Sequence, residues 1–150
     1  MIARVKRPGP LAESGQSLVE FSLVAFLLVV MLLAIVELGR LLLVSSTVAN
    51  AAAEGARYAA VHGSTRTGGG IDGPSGPGNN PAQVVAVIKN FAKAGPLTTS
   101  RLVVTVVYPG ASNAPGQAVT VTVVYPYDAF STYFPFNVNL GSKSQGIIAF

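Results

Sequence analysis

Residues 16–61 read QSLVEFSLVAFLLVVMLLAIVELGRLLLVSSTVANAAAEGARYAAV. The stretch changes character midway but stays helical throughout. Phe21 to Val36 is apolar apart from Ser22, a run of about 24 Å as a helix at about 1.5 Å per residue. A bilayer core of about 30 Å needs slightly more. Leu18 and Val19 extend the run on one side, and Leu38 to Val44 do so in part on the other. From Leu38 to Val61 there is no proline, glycine stands only at 39 and 55, and alanine, the strongest helix former, fills 49, 51, 52, 53, 56, 59 and 60. Glu37 with Arg40 and Glu54 with Arg57 have the i,i+3 spacing of acid–base pairs on a helix. One helix from Gln16 to about residue 62 is predicted. At roughly 70 Å it is far longer than a bilayer requires, so its second half must leave the membrane.

The composition agrees. Half of the 150 residues are hydrophobic and 11% are charged, less than half the charge of an ordinary soluble domain. Cysteine is absent, which excludes disulfides, thiolate metal sites and cysteine nucleophiles. The net charge of +4 comes mostly from Arg4, Lys6 and Arg7. Outside that cluster only Lys89, Lys93, Arg101 and Lys143 lie in the expected head, too thin a basic surface for nucleic acid.

Outward from the helix, residues 1–15 form a short basic leader in which Pro8 and Pro10 discourage helix. Residues 63–80 are a loop rich in glycine and proline, with almost no apolar content and expected to be mobile. Residues 81–150 make a small head. Its helix starts at Pro81, with Asn80 as the expected N-cap, carries Val84, Val85, Val87, Ile88, Phe91 and Ala92 at helical spacing, and stops at Gly95-Pro96. The period then falls to two. Strands are expected at Arg101–Tyr108 and around Val119–Tyr125, each ending in Thr-Val-Val-Tyr-Pro (105–109 and 122–126), and a third at about Ser144–Phe150. The fold class is α+β: a long N-terminal helix, a second short helix and an antiparallel sheet of about three strands.

At the start of the helix stands Gly15-Gln16-Ser17-Leu18-Val19-Glu20-Phe21. A carboxylate inside an apolar span is costly, about 2.5–3.5 kcal/mol at its centre, so Glu20 either has a partner or lies at the water interface. The motif resembles the processing site of type IV prepilins. More closely, Gly15 to Ala60 resembles the TadE family of the tight-adherence (Flp) pilus system, through Gly-Gln-Ser-Leu-Val-Glu-Phe, through Ile35-Val36-Glu37-Leu38-Gly39-Arg40, and through Asn50 to Ala60. That resemblance implies cleavage by a prepilin peptidase between Gly15 and Gln16. It also implies that Glu20 pairs with the freed amino group of a neighbouring subunit and sets the register between them. The expected partners are membrane lipid, the peptidase and other pilin or pseudopilin subunits, including further copies of this chain. Arg4, Lys6 and Arg7 would stay in the cytoplasm by the positive-inside bias. The head would then lie outside the bacterial inner membrane, on a single-pass protein that could enter an extracellular pilus.

Other signals are weak. Gly68-Gly69-Gly70-Ile71-Asp72-Gly73 fits the dinucleotide fingerprint in letters, but no strand precedes it and no helix opens on it. His62, the only histidine, has no partners for a triad or metal site, and Asp72, Asp128, Asn79 and Asn80 lack calcium-loop spacing. The aromatics Tyr125, Tyr127, Phe130, Tyr133, Phe134 and Phe136 either cap the sheet or form a contact surface. No enzyme, cofactor, metal or small-molecule substrate is expected. Two alternatives stay open: a secreted binding domain cut by signal peptidase at Ala49-Asn50-Ala51, and a single-pass membrane protein that joins no filament.

Overall fold

The computed structural model describes residues 10–78, 80–129 and 136–150. Arg4, Lys6 and Arg7, Asn79, and Phe130, Tyr133 and Phe134 lie outside the described residues. The element order is α1 (Pro10–Val61), α2 (Ala82–Lys93), β1 (Val103–Val107), β2 (Ala118–Asp128) and β3 (Asn137–Ile147), with short 3-10 turns at Gly70–Asp72 and Thr99–Arg101. This is the α+β architecture expected. The chain divides into two compact units, Met1–Leu38 and Gly39–Phe150.

In the first unit, α1 opens at Pro10 rather than at Gln16. Proline at the first helical position gives up an N–H that has no helical acceptor anyway, so Pro10 starts the helix instead of preventing it. The large apolar side chains of this unit are bare: Phe21 is 73% exposed, Phe26 70% and Leu27 63%.

The second unit holds the core. One face of α1 contributes Val44, Val48, Ala51, Ala52, Ala56 and Ala59; α2 contributes Val84, Ile88 and Ala92. These positions recur at three- and four-residue intervals, as burial of one helical face requires. The sheet is an antiparallel meander in the order β1-β2-β3. In β2, Val119, Val121, Val123, Tyr125 and Tyr127 are buried, while the intervening residues are half-exposed. Thus the odd positions of β2 face the helices. Gly55 brings α1 against Ile88 and Val121: a Cβ there would lie 2.5 Å from Ile88 Cδ1 and 3.4 Å from Val121 Cγ1.

Three details differ from the reading of the sequence. β3 begins at Asn137, not Ser144, and pairs with the whole of β2 from Asp128↔Asn137 to Ala118↔Ile147. Its inward positions include Ser142, Ser144 and Gly146, opposite Val123, Val121 and Val119. A Cβ on Gly146 would lie 3.1 Å from the Ala56 carbonyl oxygen and 3.4 Å from Ala60 Cβ, so the helix lies too close for large residues. β1 is shorter than expected because Thr99–Arg101 forms a 3-10 turn. Asn80 makes no cap to α2; Pro81 takes that position with no side-chain bond. Asn80, at φ 54°, donates its N–H to the Val106 carbonyl (3.2 Å) and accepts the Val106 N–H on Oδ1 (2.7 Å), closing the outer edge of β1.

The segment after α1 is also tied down. Ser75 is fully buried. Its N–H and hydroxyl both donate to the His62 carbonyl at 2.7 and 2.9 Å, its Oγ meets the Tyr108 hydroxyl at 3.0 Å, and Asn113 donates to its carbonyl. One small polar residue thus anchors a segment that composition alone describes as mobile.

Candidate functional site

Two regions carry the features singled out in the sequence. The first is the apolar part of α1. Gly15 and Gln16 lie inside the helix, and nothing stands within 4 Å of a Cβ built on Gly15. Glu20 is exposed one turn further on, at the edge of the apolar run. Ser22, the one polar residue in that run, donates its hydroxyl to the Val19 carbonyl at 2.8 Å, so no hydroxyl is left unpaired on an apolar surface. Among the described residues, one helix is long and apolar enough to cross a membrane, and it is this one.

The second region is the end of the head where α1 enters it. Arg40 is placed over the ring of Tyr127, 5.3 Å from its centroid. Arg101 lies over Tyr125 at 5.7 Å and pairs with Asp128 at 2.6 Å. The Asn137 amide donates to the other Asp128 oxygen at 3.0 Å, and Phe136 packs on Tyr127 with ring centroids 6.2 Å apart. Tyr125 and Tyr127 are buried and face the helices, so within the described part of the aromatic segment they complete the core. Each guanidinium covers a ring face, a contact worth about 0.5–2 kcal/mol depending on exposure. Sequence reading did not bring Arg40 to Tyr127 or Arg101 to Asp128. Their separations along the chain leave no local signal.

Glu37 is half-buried on α1. Arg57 pairs with Glu54 one turn away on the exposed side of the helix. Those two residues, with Asn50, Ala53 and the exposed ring of Phe91, line a shallow groove. Beyond it, Tyr58 donates its hydroxyl to the Ile71 carbonyl and stacks on His62 at 3.9 Å. His62 is buried at the end of α1 with Nδ1 2.8 Å from the Tyr58 carbonyl oxygen. Burial, reinforced by the Asp72 charge and opposed by Arg66, raises the Tyr58 pKa above 10.0. Burial also raises that of Tyr108, against the opposing hydrogen bond from Ser75. The glycine cluster at 68–73 follows α1 rather than a strand and contains the 3-10 turn Gly70–Asp72, which is not the setting of a dinucleotide fingerprint.

A single apolar helix of membrane-spanning length, continuous with the core helix of a small α+β head, defines the class of protein. The family model described as TadE-like protein matches residues 15–57. Over that stretch, which runs from the glycine of the N-terminal motif to Arg57, the chain is TadE-like, as its motifs implied. No curated protein and no solved structure matches the chain.

Proposed function

We propose that this chain is a pilin-like structural subunit of a tight-adherence (Flp) pilus, held in the bacterial inner membrane by the first part of α1 with its head outside the cytoplasm. One observation carries the reading: the TadE-like segment coincides with a helix whose large apolar side chains have no protein partner in one part and whose small ones form the core of a head in the other. The role is structural, not catalytic. A prepilin peptidase cuts between Gly15 and Gln16. Glycine costs a helix interior about 1 kcal/mol relative to alanine, so the chain opens there more readily than at its neighbours. The freed amino group of one copy neutralises Glu20 of the next.

The experiment is mass spectrometry of the protein from cells that contain the peptidase. The expected mature chain begins at Gln16, and the Glu20→Ala variant is expected to lose incorporation into pili. An intact leader, or undiminished incorporation of that variant, would sink the reading. Release by an ordinary signal peptidase is the weaker alternative. A cut at Ala49-Asn50-Ala51 would strip Val44 and Val48 from the core, where they are 2% and 1% exposed.

A further inference from the structure

The two outer edges of the sheet are unlike. At β1, Asn80 already holds the N–H and carbonyl of Val106 on the side away from β2. Backbone groups alternate in direction along an antiparallel strand. With those of Val106 outward, the β1–β2 bonds fall at Thr105↔Thr122 and Val107↔Thr120, and the β2–β3 bonds at Val119↔Gly146, Val121↔Ser144 and Val123↔Ser142. The Ile148 N–H, donated to the Gln117 carbonyl at 2.9 Å, continues that alternation. The N–H and carbonyl groups of Asn139, Gly141, Lys143 and Gln145 therefore point away from β2, and among the described residues nothing bonds them. This open stretch ends where Ala149 donates its N–H to the Ala60 carbonyl at 2.8 Å.

The face of β3 turned to the helices is unfinished as well. Val138, opposite the buried Tyr127, is 41% exposed, and Leu140, opposite Tyr125, is only half-buried. On the other face Lys143 is exposed beside Thr122, and β3 contains no acid. We infer that this edge of β3 receives an extended segment of a partner protein as a fourth strand, with apolar side chains beside Val138 and Leu140 and an acidic side chain opposite Lys143. The backbone fixes the conformation of the guest: an extended chain is what satisfies donors and acceptors set at every second residue. The side chains fix its pattern, apolar towards the helices and polar away from them. Near Gly146 its inward residues are small, since Ala60 stands over that end. Lys143 decides against a second copy. With β1 closed, another copy can offer only its own β3. The register that pairs all of Asn137–Ile147 sets Lys143 opposite Gly141 on both strands, leaving two lysines diagonal on one face with no acid between them. A shift of two residues sets them face to face. Like charges so placed weaken a strand pair, and a carboxylate there strengthens it.

The probe is a synthetic peptide, Thr-Ala-Thr-Val-Glu-Val-Thr-Val-Thr-Val, N-methylated at its valines so that its far edge cannot stack on further copies. Binding to the isotope-labelled full-length chain in detergent micelles is read by amide exchange. At saturation, exchange at Gly141, Lys143 and Gln145 is expected to slow about tenfold or more, while Ser142 and Ser144, already bonded to β2, change little. The same peptide with lysine in place of glutamate is expected to bind about fivefold more weakly. Lys143→Pro removes one outward N–H and no bond to β2, as an edge strand allows, and is expected to weaken binding about tenfold. No slowing at these positions with millimolar peptide overturns the inference, and this arm needs no variant to fold. Equal binding of the two peptides by the unchanged chain overturns the acidic partner. Full affinity in Lys143→Pro, with Ser142 and Ser144 still protected, overturns addition at this edge. Slow exchange at Gly141, Lys143 and Gln145 before peptide is added, in a chain that sediments as a dimer, assigns the edge to a second copy and overturns the inference too.

Discussion

One helix, α1, shows two opposite rules of side-chain choice. Before Leu38 its large exposed residues are Phe, Leu, Val, Ile and Met; from Val44 to Ala59 its buried residues are two valines, four alanines and Gly55. A protein folding in water alone would place the large residues inside and leave small or polar ones out. The reversal fits a helix whose two parts are solvated differently, as the proposed anchoring requires. Where no protein covers the helix, its surface is as apolar as lipid; where a sheet and a second helix cover it, size is limited by how closely they approach. Gly55 and Gly146 mark where that limit is tightest, at Ile88 and at the Ala56 carbonyl.

Substitutions that address one rule at a time separate the two parts. The largest expected effect is that of Ile88→Ala, which empties a fully buried position between α2 and α1. It should lower head stability by about 2–5 kcal/mol, read by thermal or denaturant unfolding, without changing membrane insertion. Leu28→Arg should do the reverse. At the middle of the apolar run it should disfavour insertion by about 3–4 kcal/mol, read in a translocon or vesicle insertion assay, with the head still folding. Glycine-to-alanine changes in the same helix should then diverge. Gly39→Ala has open space and should stabilise by up to about 1 kcal/mol. Gly55→Ala meets Ile88 and should lose that gain and more, with a cost of about 1–3 kcal/mol from overpacking. The smallest effect concerns pH. The raised Tyr108 pKa means that the folded head keeps a proton the unfolded chain has lost. Its contribution is therefore fully present below pH 10.0 and lost as pH climbs through the higher folded value. Tyr108→Phe should flatten that part of the stability–pH curve above pH 10.0.

Periodicity made α2 and β2 readable because each buries one face against neighbours that accept large or regularly spaced residues, whereas α1 was readable from its unbroken apolar run, its alanines and the lack of proline. β3 was only partly readable for a physical reason. Its inward positions include Ser142, Ser144 and Gly146, small residues that give no alternating apolar signal, and at Gly146 the close approach of Ala56 and Ala60 on α1 leaves no room for bulk. Asn80 followed by Pro81 has the letters of a cap, yet its positive φ directs Oδ1 to Val106. Glu20 was conspicuous because a carboxylate stands out in an apolar run, whereas Gly15 and Gln16 were singled out through the resemblance to a prepilin processing motif. The arginine–tyrosine pairs were not, because they depend on where the sheet ends against the helix. Nor was the role of Ser75, a single serine among glycines and prolines.

The bonds from Asn80 to Val106 bear on whether heads can join by adding strands. Because Asn80 occupies backbone groups near the middle of a five-residue strand, a second sheet cannot lie flush along that side. Among the described residues, an incoming strand has only the β3 margin to extend. A new layer there would present its own far side, not another copy of the first acceptor, so accretion stops after one step and a crowded surface of these heads resists runaway tape growth.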